Sequence, residues 1–386
     1  MPEAVIVDAV RTPIGRAFKG SLASLRPDET LAHVIDSVLE RNPDVDPATV
    51  EEVIAGCGQP QGLQANNIAR IAVLLSDKLG QETAGSTISR YCSSGLDAIR
   101  AAANNIAAGQ GETYVAAGVE FVSRYNGSQE AAHPEDQHED LKGNGGTPDA
   151  FIAMGLTAEN VAERYGVTRE QQDTYAQRSQ ERAVAAVRSG FFDREIVPVR
   201  VDGAEVSADD GPRPSSTVEK LAALEPAFRP GGTVTAGNSC PLNDGAAAAI
   251  VMSDARAREL GLEPRARIIT AATWGIEPEY MGVAPIGAVK KALGRAGMSI
   301  GDVDVYELNE AFAAQVIPIA EEVGFDYDKL NPHGGAIALG HPFGMTGVRI
   351  MTTLLNDLEA LDGSIGLETM CVAGGQGEAM LVERLR

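Results

Sequence analysis

Cysteine is scarce in this chain, and its spacing excludes two common uses of the residue. The four cysteines are Cys57, Cys92, Cys240 and Cys371. No two of them form a CxxC pair, so we do not expect a zinc ribbon or a thioredoxin-like motif. Four cysteines among 386 residues also do not resemble the disulfide framework of a small secreted domain. The expectation is a cytosolic protein with reduced thiols.

Basic residues and long apolar runs are also few. The chain has 32 Lys and Arg against 54 Asp and Glu, a net charge of −22, which argues against nucleic-acid or anionic-membrane partners because both need a basic surface. No apolar run reaches the roughly 18 residues that cross a bilayer. The first residues lack the features of a secretory signal. We expect a cytoplasmic protein, and a small anionic ligand needs only a local basic patch.

Several catalytic signatures are missing. The sequence contains no GxGxxG, P-loop, HExxH or GxSxG motif, which disfavours a nucleotide-phosphate enzyme or a serine hydrolase. The spacing of the histidines gives no metal signature, and a chain of this length buries a core without metals or disulfides. The 42 glycines cluster in short runs and predict tight turns and close backbone approaches.

Short β-branched runs alternate with helical periodicity, which predicts an α/β fold with mainly parallel sheets covered on both faces. Strands are predicted at 4–10, 50–55, 113–119, 266–270 and 303–308, and helices at 28–41, 64–79, 155–165, 169–189 and 344–360. The last third echoes the first with a period of roughly 250 residues, too long for a solenoid. We predict two similar halves, residues 1–120 plus 243–264 and residues 265–386. An inserted loop domain, 121–242, begins with a polar loop at 121–150.

Cys92 lies between a predicted strand and a predicted helix, in SRYCSSGLDAIR. The helix macrodipole and the free N–H groups of its first turn favour a thiolate, so the position predicts a lowered thiol pKa and a nucleophile. The alternative is a small buried core residue.

Three further residues lie beside glycine-rich turns or at strand ends. His341, in NPHGGAIALGHPFGMTG, suits a fixed general base; the alternative is a packed turn histidine. Cys371 ends a strand before a glycine-rich turn, where it faces a cleft or packs in a core. Asn309 follows a strand in NEAFAAQ, where it orients a water or a carbonyl, caps the next helix, or does both.

Taken together, eight segments resemble the thiolase family along essentially the whole chain. In order they are VRTPIGR, RYCSSGL, MGLTAENVAERYG, TVTAGNSCPLNDGAAA, YMGVAPIGA, NEAFAAQ, GGAIALGHPFGMTG and CVAGGQGEA. The resemblance implies a layered αβαβα core of two similar five-stranded halves with an inserted loop domain. It also implies a homodimer or homotetramer that uses acyl-CoA and coenzyme A as substrates, with no separate cofactor.

The resemblance also implies residue roles. The match to RYCSSGL makes Cys92 the acylated nucleophile, that to GGAIALGHP makes His341 its activator, and that to CVAGGQGEA makes Cys371 the acid/base. By the match to NEAF, Asn309 holds a water that forms one oxyanion hole with His341. The amides of Cys92 and Ala373 form the other. The family's CoA-contacting positions are occupied here by Arg213, Phe228, Ala236, Cys240, Met154, Met281 and Phe312.

Three departures from the family pattern refine the expected activity. Cys240 stands where many thiolases have Ser, and Ala373 stands where Gly is usual. Ala153 stands where short-chain biosynthetic thiolases often have His. The chain is therefore most similar to bacterial degradative 3-ketoacyl-CoA thiolases, which implies thiolytic cleavage of 3-ketoacyl-CoA through an acyl-cysteine. The alternatives are an acetoacetyl-CoA thiolase condensing two acetyl-CoA, a β-ketoacyl synthase-type enzyme, and a catalytically silent acyl-CoA-binding protein.

Overall fold

The computed structural model of the chain describes residues 2–125, 135 and 137–385. The polar loop expected at 121–150 therefore falls partly on residues 126–134 and 136, which lie outside the described residues. In its described part, single 3-10 turns occur at Val122–Arg124, Glu139–Leu141 and Asn144–Gly146. The described residues form twelve strands and eleven α-helices.

Strands form where β-branched and small apolar residues run without interruption. The segments Ala4–Arg11 and Asn243–Ser253 are buried along their whole length, which is typical of strands covered on both faces. The strands are β1 (Ala4–Arg11), β2 (Gly15–Arg16), β3 (Glu52–Cys57), β4 (Ala84–Ile88), β5 (Thr113–Phe121), β6 (Val199–Val201), β7 (Ala204–Val206), β8 (Asn243–Ser253), β9 (Ala266–Gly275), β10 (Val305–Leu308), β11 (Ile365–Val372) and β12 (Gln376–Arg384).

Helices form where apolar residues recur on one face. The helix predicted at 169–189 has these bounds because Thr168 and Gln171 cap its start reciprocally and Gly190, with a φ of +72°, ends it. The helices are α1 (Pro27–Glu40), α2 (Ile68–Leu75), α3 (Ser94–Ala107), α4 (Met154–Tyr165), α5 (Arg169–Ser189), α6 (Val218–Ala222), α7 (Asp254–Glu259), α8 (Ala284–Ala296), α9 (Ala313–Val323), α10 (Ala336–Leu339) and α11 (Phe343–Ala360). Within the described ranges, no helix combines the length and the apolar content that crossing a membrane requires.

The helix predicted at 64–79 is shorter than expected. Asn66 and Asn67 have φ values of +60° and +57°, in the left-handed region, so α2 cannot begin before Ile68. The backbone becomes extended again at Ser76, where α2 ends.

Nine strands lie side by side in the order β10-β11-β12-β9-β1-β8-β5-β3-β4, and β2 pairs with β8. Among the described strands of this sheet, the parallel pairs are β3 with β4, β3 with β5, and β10 with β11. The expectation of mainly parallel sheets is therefore wrong. One cause is local: β11 returns as β12 through a turn at Gly374 and Gly375, which both have a φ of +77°, and a tight turn makes antiparallel neighbours. The pairs of β8 with β1 and β5, and of β9 with β1 and β12, are also antiparallel and join segments that are distant in the chain.

The sheet divides into two halves with the same pairing pattern, which meet where β1 and β9 pair at Val5 and Ile6. The first half has the order β1-β8-β5-β3-β4, and the second has β9-β12-β11-β10. In the position equivalent to β4, the second half has a single parallel bridge between Tyr306 and Leu330. Among the described residues, the fifth strand of the second half is thus reduced to one bridge. The domain boundaries given above remain predictions.

Helices α3 and α11 lie between the two halves. Helix α11 contacts β1, β5 and β8 of the first half and β10 and β11 of the second, and it packs along α3. Helices α1 and α2 share a core with the other face of the first half, and α8 and α9 share one with the other face of the second. The arrangement is the five-layered αβαβα core that the resemblance implied.

Candidate active site

Cys92 lies in the 3-10 turn Tyr91–Ser93, between the end of β4 and the start of α3. Its residue is 8% exposed. The preceding Tyr91 has a φ of +44°, an uncommon backbone conformation for a side chain of this size. The position matches the expectation that Cys92 precedes a helix.

The predicted direction of the thiol pKa is wrong. Burial raises the pKa of Cys92 well above its usual value of 9.0, and the neighbouring Cys371 and Cys240 raise it further. The backbone N–H of Ala373 donates a hydrogen bond to the sulfur and acts in the opposite direction. The effect of desolvation on the thiol pKa is larger than that of the helix N-terminus. The resting Cys92 is therefore a neutral thiol that needs a base.

His341 supplies an unprotonated ring nitrogen. The hydroxyl of Thr346 donates to the carbonyl of Pro342 at 2.7 Å, so its oxygen accepts from Nδ1–H of His341 at 2.6 Å. This fixes the tautomer and leaves Nε2 as the acceptor. Burial, assisted by the charge of Arg349, lowers the pKa of His341 from 6.5 to about 3. The imidazole is therefore neutral at physiological pH.

The backbone around His341 is fixed by Asn243. The side-chain oxygen of Asn243 accepts from the N–H of His341 at 3.0 Å, and its amide donates to the carbonyl of Gly15 at 2.9 Å. Gly340 has a φ of +113°, and a Cβ at this position would lie 2.6 Å from the side chain of Asn243. Glycine is therefore required immediately before the base.

Asn309 lies beside this base. Its amide donates to Nε2 of His341 at 3.3 Å. The carboxamide oxygen of Asn309 is buried and has no hydrogen-bond partner in the described part of the chain. Asn309 thus presents polar atoms to the same space as Nε2, where they can act on a bound oxygen atom.

Cys371 lies near the end of β11 and is fully buried. Burial raises the pKa of its thiol from 9.0 to about 11, while a hydrogen bond from Gln315 opposes this rise. The turn that follows carries Ala373, whose N–H points to Cys92. The β11–β12 turn therefore brings the second cysteine and a backbone donor to the nucleophile.

The structure brings elements of both halves together at Gly58, which follows β3. A Cβ at Gly58 would lie 2.8 Å from Cβ of Phe343, in the first turn of α11, and 3.1 Å from the carbonyl oxygen of Tyr91. The turn carrying His341 and the turn carrying Cys92 are therefore neighbours.

Five of the seven predicted CoA-contacting residues lie in one region. Met154, Met281, Phe312 and Cys240 belong to a single apolar cluster with Cys371. Phe228 packs edge-on against Phe312, with ring centroids 6.0 Å apart. This cluster forms an apolar wall next to the second cysteine.

Arg213 and Ala236 are exposed and lie outside that cluster. The N–H of Arg213 donates to the side chain of Gln180 at 2.7 Å, and a Cβ at the nearby Gly211 would overlap the carbonyl of Ala338, in the turn before His341. Burial and the charge of Arg16 lower the pKa of Arg213. In a strongly acidic protein, two arginines close to each other form a local basic patch.

Sequence reasoning missed three residues that support the site, namely Thr346, Gln315 and Glu120. Thr346 and Gln315 lie inside motifs already noted, but only the folded structure shows that they contact His341 and Cys371. Glu120 could have been found as a lone carboxyl in an apolar strand. It accepts from the N–H groups of Gly58 at 2.8 Å and Gly344 at 2.9 Å, and burial raises its pKa to about 7.

Comparison with known proteins gives two family models, curated relatives and a solved structure that are similar to this chain. The family models described as Thiolase, N-terminal domain and Thiolase, C-terminal domain match residues 4–255 and 262–384. The 3-ketoacyl-CoA thiolases of Erwinia tasmaniensis and Salmonella typhimurium are 46% and 45% identical over 394 aligned residues, covering both chains in full. The crystal structure of the Bacillus anthracis acetyl-CoA acetyltransferase superposes with a TM-score of 0.90 at 40% identity, covering 100% of this chain and 99% of that one. The chain belongs to the thiolase family.

Proposed function

We propose that this protein is an acyltransferase that cleaves 3-ketoacyl-CoA with CoA, giving acetyl-CoA and a shortened acyl-CoA through an acyl-cysteine. The observation that carries the proposal is the meeting of two buried thiols, Cys92 and Cys371, near a neutral imidazole whose Nε2 is unprotonated. The 46% identity to a 3-ketoacyl-CoA thiolase over the full length supports the same reaction.

In the first step His341 acts as the general base for Cys92. Its Nε2 takes the thiol proton while the sulfur attacks the 3-keto carbon, so the thiolate exists only during attack. The oxygen of the tetrahedral intermediate becomes negatively charged and needs donors. The N–H of Ala373 and that of Cys92 are the donors in this proposal, because the Ala373 N–H already points to the sulfur.

In the second step the bond between C2 and C3 breaks, leaving an acyl group on Cys92 and the enolate of acetyl-CoA. The thiol of Cys371 gives its proton to C2, and the enolate oxygen is held at His341 and Asn309, with a water bound by Asn309. The thiolate of Cys371 then takes the proton of the incoming CoA thiol, which attacks the acyl-cysteine. As the acyl group leaves Cys92, protonated His341 returns its proton to that sulfur. Both cysteines end as thiols and the imidazole is neutral again, so the protons balance.

CoA binding is part of the proposal. The apolar cluster of Met154, Met281, Phe312 and Cys240 borders the pantetheine arm, and Phe228 extends it outward. Arg213, with Arg16 beside it, faces the adenine and phosphates, where positive charge is needed. Ala236 lies on the exposed loop between these two regions. CoA is a substrate here, and no other cofactor enters.

The proposal includes a homodimer or homotetramer. Strand β4 ends the sheet, and no described strand pairs with its outer edge. Leu74 and Leu75 of the adjacent α2 are 51% and 46% exposed. An open strand edge beside apolar side chains is a surface that a second copy covers. Because β4 leads directly into Cys92, such pairing would also order the nucleophile turn.

A cytoplasmic location completes the proposal. All four cysteines are free thiols, and two of them carry the proposed chemistry in the reduced state. A reducing compartment preserves such thiols. Nucleic acid and membrane lipid are not partners in this proposal, since the net charge of −22 repels both.

The first experiment measures CoA-dependent thiolysis of acetoacetyl-CoA and of a long-chain or steroid 3-ketoacyl-CoA. We expect activity in the wild type, a preference for the longer substrate, and none in a folded Cys92→Ser variant. A preference for acetoacetyl-CoA would place the protein with the acetyl-CoA acetyltransferases. Wild-type turnover by Cys92→Ser would refute the nucleophile, and failure of Cys92 to accept an acyl group would favour a silent acyl-CoA carrier.

A further inference from the structure

Gln315 contacts one of the two reacting sulfurs directly. It lies in the first turn of α9, and its amide nitrogen donates to Sγ of Cys371 over 2.8 Å. Both residues have no exposed surface. In the described part of the chain, Gln315 is the side chain that donates a hydrogen bond to this sulfur.

The oxygen of the same amide is positioned by packing, without a hydrogen bond. The carboxamide oxygen of Gln315 is buried without a hydrogen-bond partner among the described residues. A Cβ at Gly282 would lie 2.7 Å from this oxygen and 3.0 Å from Cβ of Gln315. Glycine at position 282 therefore makes room for the amide, and the donor stays directed at the sulfur.

A buried polar atom without a partner costs about 1–3 kcal/mol. The unpartnered oxygen of Gln315 carries this free-energy cost, while its N–H group points at a thiol. A neutral thiol is a weak acceptor and gains little from that bond, whereas a thiolate gains much more. The arrangement is thus matched to the charged form of Cys371.

We propose that Gln315 is a further residue of the catalytic machinery, whose amide N–H stabilises the thiolate of Cys371 formed when that cysteine protonates C2 of the leaving acetyl-CoA. The inference rests on the proposed acid/base role of Cys371. In this step the S–H bond breaks, a C–H bond forms at C2, and the electron pair remains on sulfur. The same thiolate then takes the proton of CoA, which restores the thiol.

The Gln315 bond also opposes the effect of burial. Burial raises the pKa of Cys371 to about 11, and the hydrogen bond from Gln315 is the larger of the two hydrogen bonds that oppose this rise. Loss of the donor makes the thiolate harder to form in either direction of the reaction. Acetylation of Cys92 by acetyl-CoA does not require this thiolate, because protonated His341 can return the proton of Cys92 to the departing CoA thiolate. Acetylation should therefore be much less sensitive to Gln315 than the steps at C2.

The test compares Gln315→Met, which keeps the length of the side chain but removes the donor, with the wild type. Three rates are measured: acetylation of Cys92 by acetyl-CoA, thiolysis of a 3-ketoacyl-CoA, and deuterium incorporation from D2O into the methyl group of acetyl-CoA. Because a hydrogen bond to a charged group is worth about 1.5–3 kcal/mol, we expect thiolysis and deuterium incorporation to fall by about 10- to 100-fold. Acetylation should change by less than about 3-fold.

A matched control is Gln172→Met. Gln172 is equally buried, donates to Thr233 at 2.9 Å and also has an unpartnered oxygen, so it reports the cost of losing a buried amide elsewhere. We expect all three rates to stay near wild type. If Gln315→Met folds poorly, Gly282→Ala displaces the same amide by a methyl group and should give the same split of rates.

Two outcomes would overturn the inference. Unchanged thiolysis and exchange in both Gln315→Met and Gly282→Ala would show that the donor is not used. An equal loss of all three rates would show a structural effect. Cys371→Ala separates this from the proposed function: it should keep acetylation and lose exchange, and retained exchange would mean that Cys371 itself is not the acid/base.

Discussion

The two proposed catalytic cysteines share one property that determines how the histidine must work. Burial raises the thiol pKa of Cys92 and of Cys371, so neither is a thiolate in the resting enzyme at neutral pH. The same burial lowers the pKa of His341 to about 3. One cause, desolvation, thus keeps all three groups uncharged until substrate arrives. Neutral thiols are also less open to oxidation and alkylation between turnovers.

This state predicts an unusual pH profile for the first step. Because the folded-state pKa of His341 lies far below 6.5, the imidazole stays unprotonated as the pH falls, and the base is not lost until the pH approaches about 3. We expect the rate of Cys92 acetylation by acetyl-CoA to show no decrease between about pH 8 and about pH 5. Rapid-quench mass spectrometry of the acyl-enzyme measures it.

The control for this profile is His341→Asn, which should lose acetylation at every pH while the protein remains folded. A decrease in the wild-type rate centred near pH 6.5 would contradict the assignment, because it would mean that the imidazole titrates as it does in water.

At the residue scale, sequence reasoning proposed Cys92, His341, Cys371 and Asn309 as site residues, and these roles stay predictions, but it did not foresee their electrostatics. Position relative to a helix can be inferred from the local pattern, whereas desolvation depends on residues that are distant in the chain. The pKa of Cys92 was therefore predicted in the wrong direction. Thr346 was missed for the same reason, since its hydroxyl has a role only once the turn brings it onto Nδ1 of His341.

At the scale of elements, glycines set the distance between α3 and α11. A Cβ at Gly95 would lie 2.7 Å from the carbonyl oxygen of Gly344, and one at Gly347 would overlap the backbone at Leu96. The two helices touch backbone to backbone at this crossing. The contact holds the turn of Cys92 against the turn of His341, because each turn immediately precedes one of these helices.

We therefore expect the variant Gly347→Ala to lose both stability and activity. The added methyl group overlaps Leu96 in a rigid core, and overpacking of this kind costs about 3 kcal/mol. Urea unfolding measures the change in free energy, and acylation of Cys92 reports the displacement of the two turns.

Gly294→Ala in α8 is the matched control, because an added Cβ there has no atom within 4 Å. Alanine in a helix interior is favoured over glycine by about 0.5–1 kcal/mol, so this variant should be as stable as the wild type or slightly more stable. Equal stability of the two variants would mean that the helices do not meet at Gly347.

Elements could be predicted from sequence where their ends carry local signals. The helix predicted at 169–189 matches α5, whose start carries the capping box of Thr168 and Gln171, and the helix predicted at 28–41 matches α1 to within one residue at each end. Strand direction could not be predicted in this way, because it depends on whether a connection is a turn or a crossover. The start of α2 could not be predicted either, because nothing in the local pattern requires Asn66 and Asn67 to adopt a left-handed backbone.

For the whole molecule, the dominant surface property is charge. The net charge of −22 makes the folded state repel itself, and added salt screens that repulsion, with a Debye length that falls from about 10 Å at 0.1 M to about 3 Å at 1 M. We expect the thermal midpoint to rise by several degrees when NaCl is raised over this range. Differential scanning calorimetry measures it.

Choline chloride at equal ionic strength should give the same rise if screening is the cause. A midpoint that is flat or falls with salt would show that attractive surface ion pairs, such as that between Arg229 and Glu163 at 3.1 Å, outweigh the net repulsion.

The late position of α11 in the sequence affects how the protein folds during its synthesis. This helix covers the inner face of the first half, yet it ends at Ala360, while β8, the last strand of that half, ends at Ser253. With synthesis at about 5–20 residues per second, the completed sheet of the first half waits on the order of 5–20 s on the ribosome before α11 exists. During that interval α3 is the helix that covers its apolar inner face. We expect the nascent chain to depend on chaperones until α11 is complete, when about nine tenths of the protein has been translated.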